Sequence, residues 1–375
     1  MVKGKRVVVA MSGGVDSSVA AYLMKKRGFD VVGVFLKCWS DSKNSTGTCN
    51  WRSERRHALR VASKLGISLV TVDAEKEYRK YVVDVMFKDY KRGITPNPDI
   101  LCNEIVKFPF LLNEAKRLKA DMVVTGHFVR IKKGLGGRTY LLRGKDEMKD
   151  QSYFLYRLKE KDLEKLMFPI GEYTKAEVRK IALAQGFINH DKKSTVGICF
   201  IGKMDMKEFL KSKIKPKSGK ILGVDGEVLG EHDGVYYYTI GQRLGERFDL
   251  VIKKKGSSQM GRWYVSSKDV KKNTLTVAPA WHEDLYKNRL RVIDFHLING
   301  GLEKFKRRAS GLLGVRVKSR IRHVGELVPS ILRYNKKTKG FELKLSRGLT
   351  GVSAGQAVVF YKGKRVIGGG VIRDF

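Results

Sequence analysis

The chain has 375 residues, 42% of them hydrophobic and only 7 of them proline. This excludes a disordered chain and provides material for two or three domains. Lysine and arginine number 76 against 38 acidic residues, a formal net charge of +38, which points to a polyanionic partner such as nucleic acid or an anionic membrane, or to a general lysine bias in composition.

The surplus runs along the whole chain, so the expectation is an extended positive surface on folded domains and not a basic tail. The longest apolar runs, Val7–Met11 and Val31–Leu36, are strand-sized and far short of a spanning helix, so no membrane segment is expected. The opening residues read as a first strand, without an export signal. Four cysteines, Cys38, Cys49, Cys102 and Cys199, form no C-x-x-C pair. That spacing predicts reduced thiols in a cytoplasmic protein, with neither a disulfide framework nor a structural metal site.

In chain order, the first third alternates strand and helix. Strands are predicted at Arg6–Met11, Val31–Phe35, Leu69–Val72 and Met122–Thr125, with helices at Ser17–Arg27, Glu54–Leu65, Glu75–Tyr90 and Asn103–Lys119. All-apolar strands between helices predict an open, mostly parallel α/β sheet covered on both faces. Gly134-Leu135-Gly136-Gly137 precedes no helix and reads as a hairpin turn. Lys213–Lys220 reads as a linker. Beyond it come short strands at Val235–Ile240, Trp263–Ser266, Thr274–Ala278, Leu313–Ile321, Phe341–Leu345 and Ala357–Tyr361. They suggest two small, mainly β domains, the last barrel-like. The expected division is 1–210, 211–285 and 286–375.

The strongest local signal is Ser12-Gly13-Gly14-Val15-Asp16-Ser17-Ser18, between the first strand and the first helix. Glycines bring backbone N–H groups close to a ligand, the helix start adds positive charge, and hydroxyls can donate to phosphate oxygens. No Gly-Lys pair is followed by Ser or Thr, so this is not a Walker loop. The segment resembles the PP-loop of the ATP pyrophosphatases, a superfamily that includes tRNA thiolases and several small-molecule ligases.

The cysteines discriminate among these. Cys102 follows Thr95-Pro96-Asn97-Pro98-Asp99-Ile100-Leu101, where two prolines stiffen the approach and a helix beginning just after Cys102 would lower its thiol pKa. Asp99 is a nearby acid or base. Cys199 lies in Gly197-Ile198-Cys199-Phe200-Ile201-Gly202 after the basic pair Lys192-Lys193. With Thr125-Gly126-His127, Lys149-Asp150-Gln151-Ser152-Tyr153-Phe154, Thr239-Ile240-Gly241-Gln242-Arg243 and Gly355-Gln356, these segments resemble the bacterial-type tRNA-specific 2-thiouridylases along essentially the whole chain.

The resemblance implies ATP with Mg²⁺ at Ala10, Met11, Ser12, Gly13, Gly14, Val15, Asp16 and Ser17, with Leu36 and Gly126 around the adenosine. It implies adenylation of O2 of the tRNA wobble uridine, in tRNAs of the glutamate, lysine and glutamine type. Cys199 would carry a persulfide and Cys102 would be the second nucleophile, ending in a Cys102–Cys199 disulfide, with Asp99 as acid/base. Asn97, Pro98 and Asp99 would face the target base. His127, Lys149, Asp150, Gln151, Arg320, Ile321 and Gln356 fall where the family contacts tRNA. A sulfur carrier or cysteine desulfurase relay is implied upstream, and a monomer in the absence of tRNA.

The chain departs from the family pattern at two places. Ser194-Thr195-Val196-Gly197 lacks the usual acidic residue ahead of Cys199, and Ile321 stands where an aromatic would stack. Asn103-Glu104-Ile105-Val106 lacks the third cysteine that an iron–sulfur variant would want, which favours the persulfide route. Cys38 and Cys49 match no catalytic position, and Gln242-Arg243 has no assigned role. Another PP-loop ligase acting on a small metabolite, or an RNA-binding protein without catalysis, remain the alternatives. AMP formation without RNA marks the first, and tRNA binding without turnover the second.

Overall fold

The computed structural model describes residues 4–41, 50–193, 201, 205–244, 262–323 and 325–375. Val7, Val8 and Val9 are fully buried in β1 (Arg6–Ala10), each worth roughly 1.5–3 kcal/mol of burial. Around it run β2 (Asp30–Lys37), β3 (Ser68–Asp73), β4 (Met122–Val124) and the short β7 (Leu166–Met167), in the order β3-β2-β1-β4-β7 with every pairing parallel.

One face packs Val7 and Val9 against the helices Val15–Lys26, Asn50–Leu65 and Lys175–Ala184. The other packs Val8 and Val34 against two longer helical runs, 75–91 and 98–117, each with a π-helical stretch inside it (Arg79–Val83 and Cys102–Lys107). The strand order reverses between β1 and β4. In an open α/β sheet the crevice beyond the carboxyl ends of those two strands is the place for a ligand.

Two β units follow. Strands β8 (Gly219–Leu222), β9 (Val228–His232), β10 (Arg243–Leu244), β11 (Trp263–Asp269) and β12 (Thr274–Pro279) form a sheet in the order β10-β11-β12-β8-β9. Strands β13 (Lys287–Leu297), β14 (Val315–Arg320), β15 (Val328–Asn335), β16 (Gly340–Leu349), β17 (Ala357–Lys362) and β18 (Arg365–Asp374) run β13-β16-β15-β14-β17-β18, and β18 pairs back onto β13. The sheet therefore closes into an antiparallel barrel without edges. Alternation fills it, with Phe341, Leu343 and Leu345 inside and Glu342 and Lys344 outside.

A hairpin of the first domain, β5 (Val129–Lys133) and β6 (Thr139–Arg143), lies against the barrel through the Leu142–Arg365 pairing. Its turn contains Leu135–Gly137, as expected. The segment 235–240, expected as a strand, instead contains a 3₁₀ turn at Val235–Tyr237. Its aromatics serve burial and not pairing: Tyr237 and Tyr238 are buried, and the Tyr237 hydroxyl donates to the Ile214 carbonyl. No helix among the described residues is long and apolar enough to cross a membrane.

Candidate active site

The carboxyl end of β1 runs through Ala10 and buried Met11, whose N–H donates to the Val34 carbonyl, into Ser12–Ser18. Gly13 takes φ +79°, and a Cβ there would sit 2.2 Å from the Glu54 carbonyl oxygen. Only glycine permits that approach to the helix Asn50–Leu65. Ser17 Oγ accepts from the Ser12 N–H at 3.2 Å and donates to the Gly14 carbonyl at 3.0 Å. Ser18 Oγ donates to the same carbonyl at 2.9 Å. The loop is thus tied through its hydroxyls. Gly14 is the N-cap of the helix Val15–Lys26 and no side chain caps it, so the first-turn N–H groups and the helix dipole face the crevice, an arrangement suited to phosphate.

Gly126, at the carboxyl end of β4, closes the other side. A Cβ there would stand 2.7 Å from Asp16 C and from Ser17 N. Leu36 is buried near the end of β2. The expected nucleotide residues therefore lie on three neighbouring strand ends.

Residues far along the chain complete the loop. Asn189 is buried and donates from Nδ2 to Gly13 O at 2.9 Å and to Ser18 Oγ at 3.0 Å. Lys192 Nζ donates to Glu54 Oε2 at 2.5 Å. Lys175 Nζ donates to Asp16 Oδ1, also at 2.5 Å. None of these contacts follows from local sequence. The capping box of Thr174 and Glu177 marks the helix start at Lys175, yet not what Lys175 touches.

Cys102 is fully buried. The helix was expected to start after it but starts at Pro98, with Asn97 as N-cap accepting from the Ile100 N–H at 3.2 Å. Proline at N1 after asparagine is a strong start signal. The positive end of the helix accordingly lies at Pro98–Ile100, and Cys102 sits one turn inside. Asp99 is half-buried in the first turn, and its carbonyl accepts from Asn103 Nδ2 at 3.0 Å. Cys199 and Cys49 lie outside the described residues, and Cys38 is buried at the end of β2.

His127 is buried between Phe108, stacked on it at 5.8 Å, and Phe168, edge-on at 6.1 Å, and its Nδ1 lies 2.7 Å from Thr125 Oγ1. Burial, then nearby Lys107, hold its pKa well below the ordinary histidine value. It is a neutral side chain packed in the core.

The remaining expected residues gather where the first domain meets the barrel. Asp150 is completely buried and accepts from Arg320 Nη1 at 2.8 Å, Ser152 Oγ at 3.0 Å, Gly144 N at 3.1 Å, and Arg143 Nε and Ser152 N at 3.2 Å. Arg320 and Ile321 are buried as well. The Tyr153 hydroxyl lies 2.9 Å from the carbonyls of both Ile321 and Ala357. Gln151 Oε1 accepts from the Phe128 N–H. Gln356 Oε1 is buried without a hydrogen-bond partner among the described residues, and Lys149 is exposed. Nearby, Thr95 N donates to Ala354 O at 2.9 Å and Ser353 Oγ to Thr95 Oγ1 at 3.1 Å. Through Thr95, the segment leading to Asn97 and Cys102 is anchored on the barrel.

A Ser-Gly-Gly loop at the switch point of a parallel sheet, followed by two β units, defines a PP-loop α/β protein. Family domains match along the chain: "tRNA methyl transferase HUP domain" over residues 5–203, "tRNA methyl transferase PRC-barrel domain" over 207–279 and "Aminomethyltransferase beta-barrel domain" over 289–372. Relatives named tRNA-specific 2-thiouridylase MnmA include those of Pediococcus pentosaceus, 41% identical over 368 residues (98% of this chain and 94% of the relative), and Listeria monocytogenes, 42% identical over 368 residues with the same coverage. MnmA 1 of Geobacillus kaustophilus is 43% identical over 373 residues, 99% of this chain and 96% of the relative. The chain belongs to the tRNA-specific 2-thiouridylase family.

Proposed function

We propose that this protein is an ATP-dependent tRNA sulfurtransferase that replaces O2 of the wobble uridine with sulfur, in tRNAs of the glutamate, lysine and glutamine type. The observation that carries the reading is the uncapped Ser12–Ser18 loop at the β1/β4 switch point, in the same domain as the helix of Cys102. An amide-like oxygen is a poor leaving group, and adenylation by ATP, with loss of pyrophosphate, makes it a good one. Ala10–Ser17, Leu36 and Gly126 form the nucleotide site. Mg²⁺ would screen the phosphate charge there, beside the Asp16 carboxylate that Lys175 already pairs.

In this reading an upstream sulfur carrier or cysteine desulfurase relay loads Cys199 with a persulfide. Its terminal sulfur attacks C2. The Cys102 thiolate then attacks the Cys199 sulfur, forming the Cys102–Cys199 disulfide and leaving the second sulfur and its electron pair at C2 as AMP departs. A thiol reductant restores the pair. Asp99 supplies acid/base help, and Asn97–Asp99 face the base. Lys149 is the exposed basic contact for tRNA, whereas buried Asp150, Arg320, Ile321 and His127 act from behind the surface, by holding the elements that meet the RNA. We read residues 1–210 as the catalytic part, 211–285 as a small middle domain and 286–375 as the barrel that orients the anticodon stem, in a cytoplasmic protein that is a monomer in the absence of tRNA.

The test is thiolation of unmodified tRNA transcripts with ATP, Mg²⁺ and a persulfide donor, with thiouridine resolved on a mercury-containing gel and AMP counted in parallel. Cys199→Ser and Cys102→Ser are each expected to lose thiouridine while binding tRNA as before. Wild-type turnover in either variant would sink the relay, and AMP release without any RNA would favour a small-molecule ligase.

A further inference from the structure

The Ser12–Ser18 loop contains no lysine, although a bound polyphosphate would bring several negative charges beside the Asp16 carboxylate. The structure supplies positive charge from more than 150 residues downstream, at Lys175. Its backbone N–H donates to Asp146 Oδ2 at 2.9 Å, the capping box of Thr174 and Glu177 fixes the turn around it, and its ammonium lies 5.8 Å from the centroid of the Phe128 ring. The position is therefore determined from three sides. The side chain is 12% exposed, beside an Asp16 that is 32% exposed.

An ammonium has three N–H donors, and Asp16 accepts one of them; no other hydrogen bond of Lys175 Nζ is found among the described residues. Lys192 differs. It is shared between Glu54 Oε2 at 2.5 Å and Gly13 O at 3.5 Å, which makes it a brace for the loop backbone.

We infer that Lys175 is the phosphate-holding cation of this loop, doing from a distant helix what a lysine within the loop does in other phosphate loops. Its ammonium neutralises Asp16 and offers its remaining N–H groups to the pyrophosphate part of the nucleotide. As uridine O2 bonds to the α-phosphorus and the α–β bridging bond breaks, its electron pair leaves with pyrophosphate. That growing charge falls beside Lys175. The inference rests on reading Ser12–Ser18 as a phosphate loop.

The experiment is calorimetric titration of the full chain with Mg²⁺–pyrophosphate and, separately, with AMP, for the wild type, Lys175→Met and Lys175→Arg. Lys175→Met is expected to weaken pyrophosphate binding by roughly 10- to 100-fold, the loss expected for one charge-assisted hydrogen bond, and to leave AMP binding unchanged. Lys175→Arg keeps the charge and should retain most of the pyrophosphate affinity. Wild-type pyrophosphate affinity in Lys175→Met overturns the inference. So does a parallel loss of pyrophosphate and AMP in both variants, the signature of a helix start that merely props the loop. A wild-type protein that binds neither ligand would defeat the phosphate-loop reading itself, and this inference with it.

Discussion

Gly126 shows how little space separates the two strand ends that frame the site. An alanine methyl there would meet the backbone of Asp16 and Ser17 at 2.7 Å, and backbone cannot swing aside as a side chain can. Gly126→Ala is therefore expected to push the start of the Val15–Lys26 helix outward, costing roughly 1–3 kcal/mol and most of the AMP formation; a variant with wild-type melting and AMP yield would show that the contact relaxes without consequence. This residue was legible as a motif position, and so was the loop it faces, because their roles are set by neighbours within a few residues. Lys175, Asn189 and Glu54 were not. Their side chains reach the loop only after the sheet has brought together segments that sequence separates, and no local periodicity marks such a contact.

At the scale of elements, the buried Asp150–Arg320 pair joins the β14 end of the barrel to the first domain. Removing one partner of such a pair costs more than the pair contributes, because a charge is left behind in a dry place. Arg320→Met should lower stability by about 3 kcal/mol, with Arg143 softening the loss. Urea unfolding is the check, and a change below about 1 kcal/mol, the scale of an exposed pair, would mean that the joint does not depend on it. The elements themselves were unevenly legible. The apolar runs within β1 and β2 announce themselves, since both faces of a central strand are buried. Strand β13, Lys-Asn-Arg-Leu-Arg-Val-Ile-Asp-Phe-His-Leu, does not: polar residues outnumber apolar ones on a barrel wall with one face in water. The helix Leu302–Ala309 is similar, with a narrow Leu302, Phe305 and Ala309 stripe among charges. At Pro98 the signal was present, in the Asn97 cap and the proline, but the approach to Cys102 read as stiff loop.

For the whole molecule, histidine sets the acid limit. Burial holds the pKa of His57, His127, His232, His296 and His323 below the ordinary value near 6.5. Each binds a proton less readily in the fold than in the unfolded chain, so the stability they permit is complete above about pH 6.5 and shrinks beneath it. The slope is up to about 1.4 kcal/mol per pH unit for each such histidine. Urea midpoints at pH 7.5 and 5.5 should differ clearly, before the carboxylates begin to titrate; equal midpoints would refute the assignment. The net charge of +38 adds self-repulsion that a bound polyanion would relieve. Finally, the β5–β6 hairpin leans on β18 through Leu142 and Arg365, so its neighbour is made more than two hundred residues later. At ribosomal speeds of roughly 5–20 residues per second, the nascent first domain waits roughly 11–45 seconds with that strand edge uncovered. The interval gives a chaperone an opportunity, and a chain released early keeps the edge exposed for good.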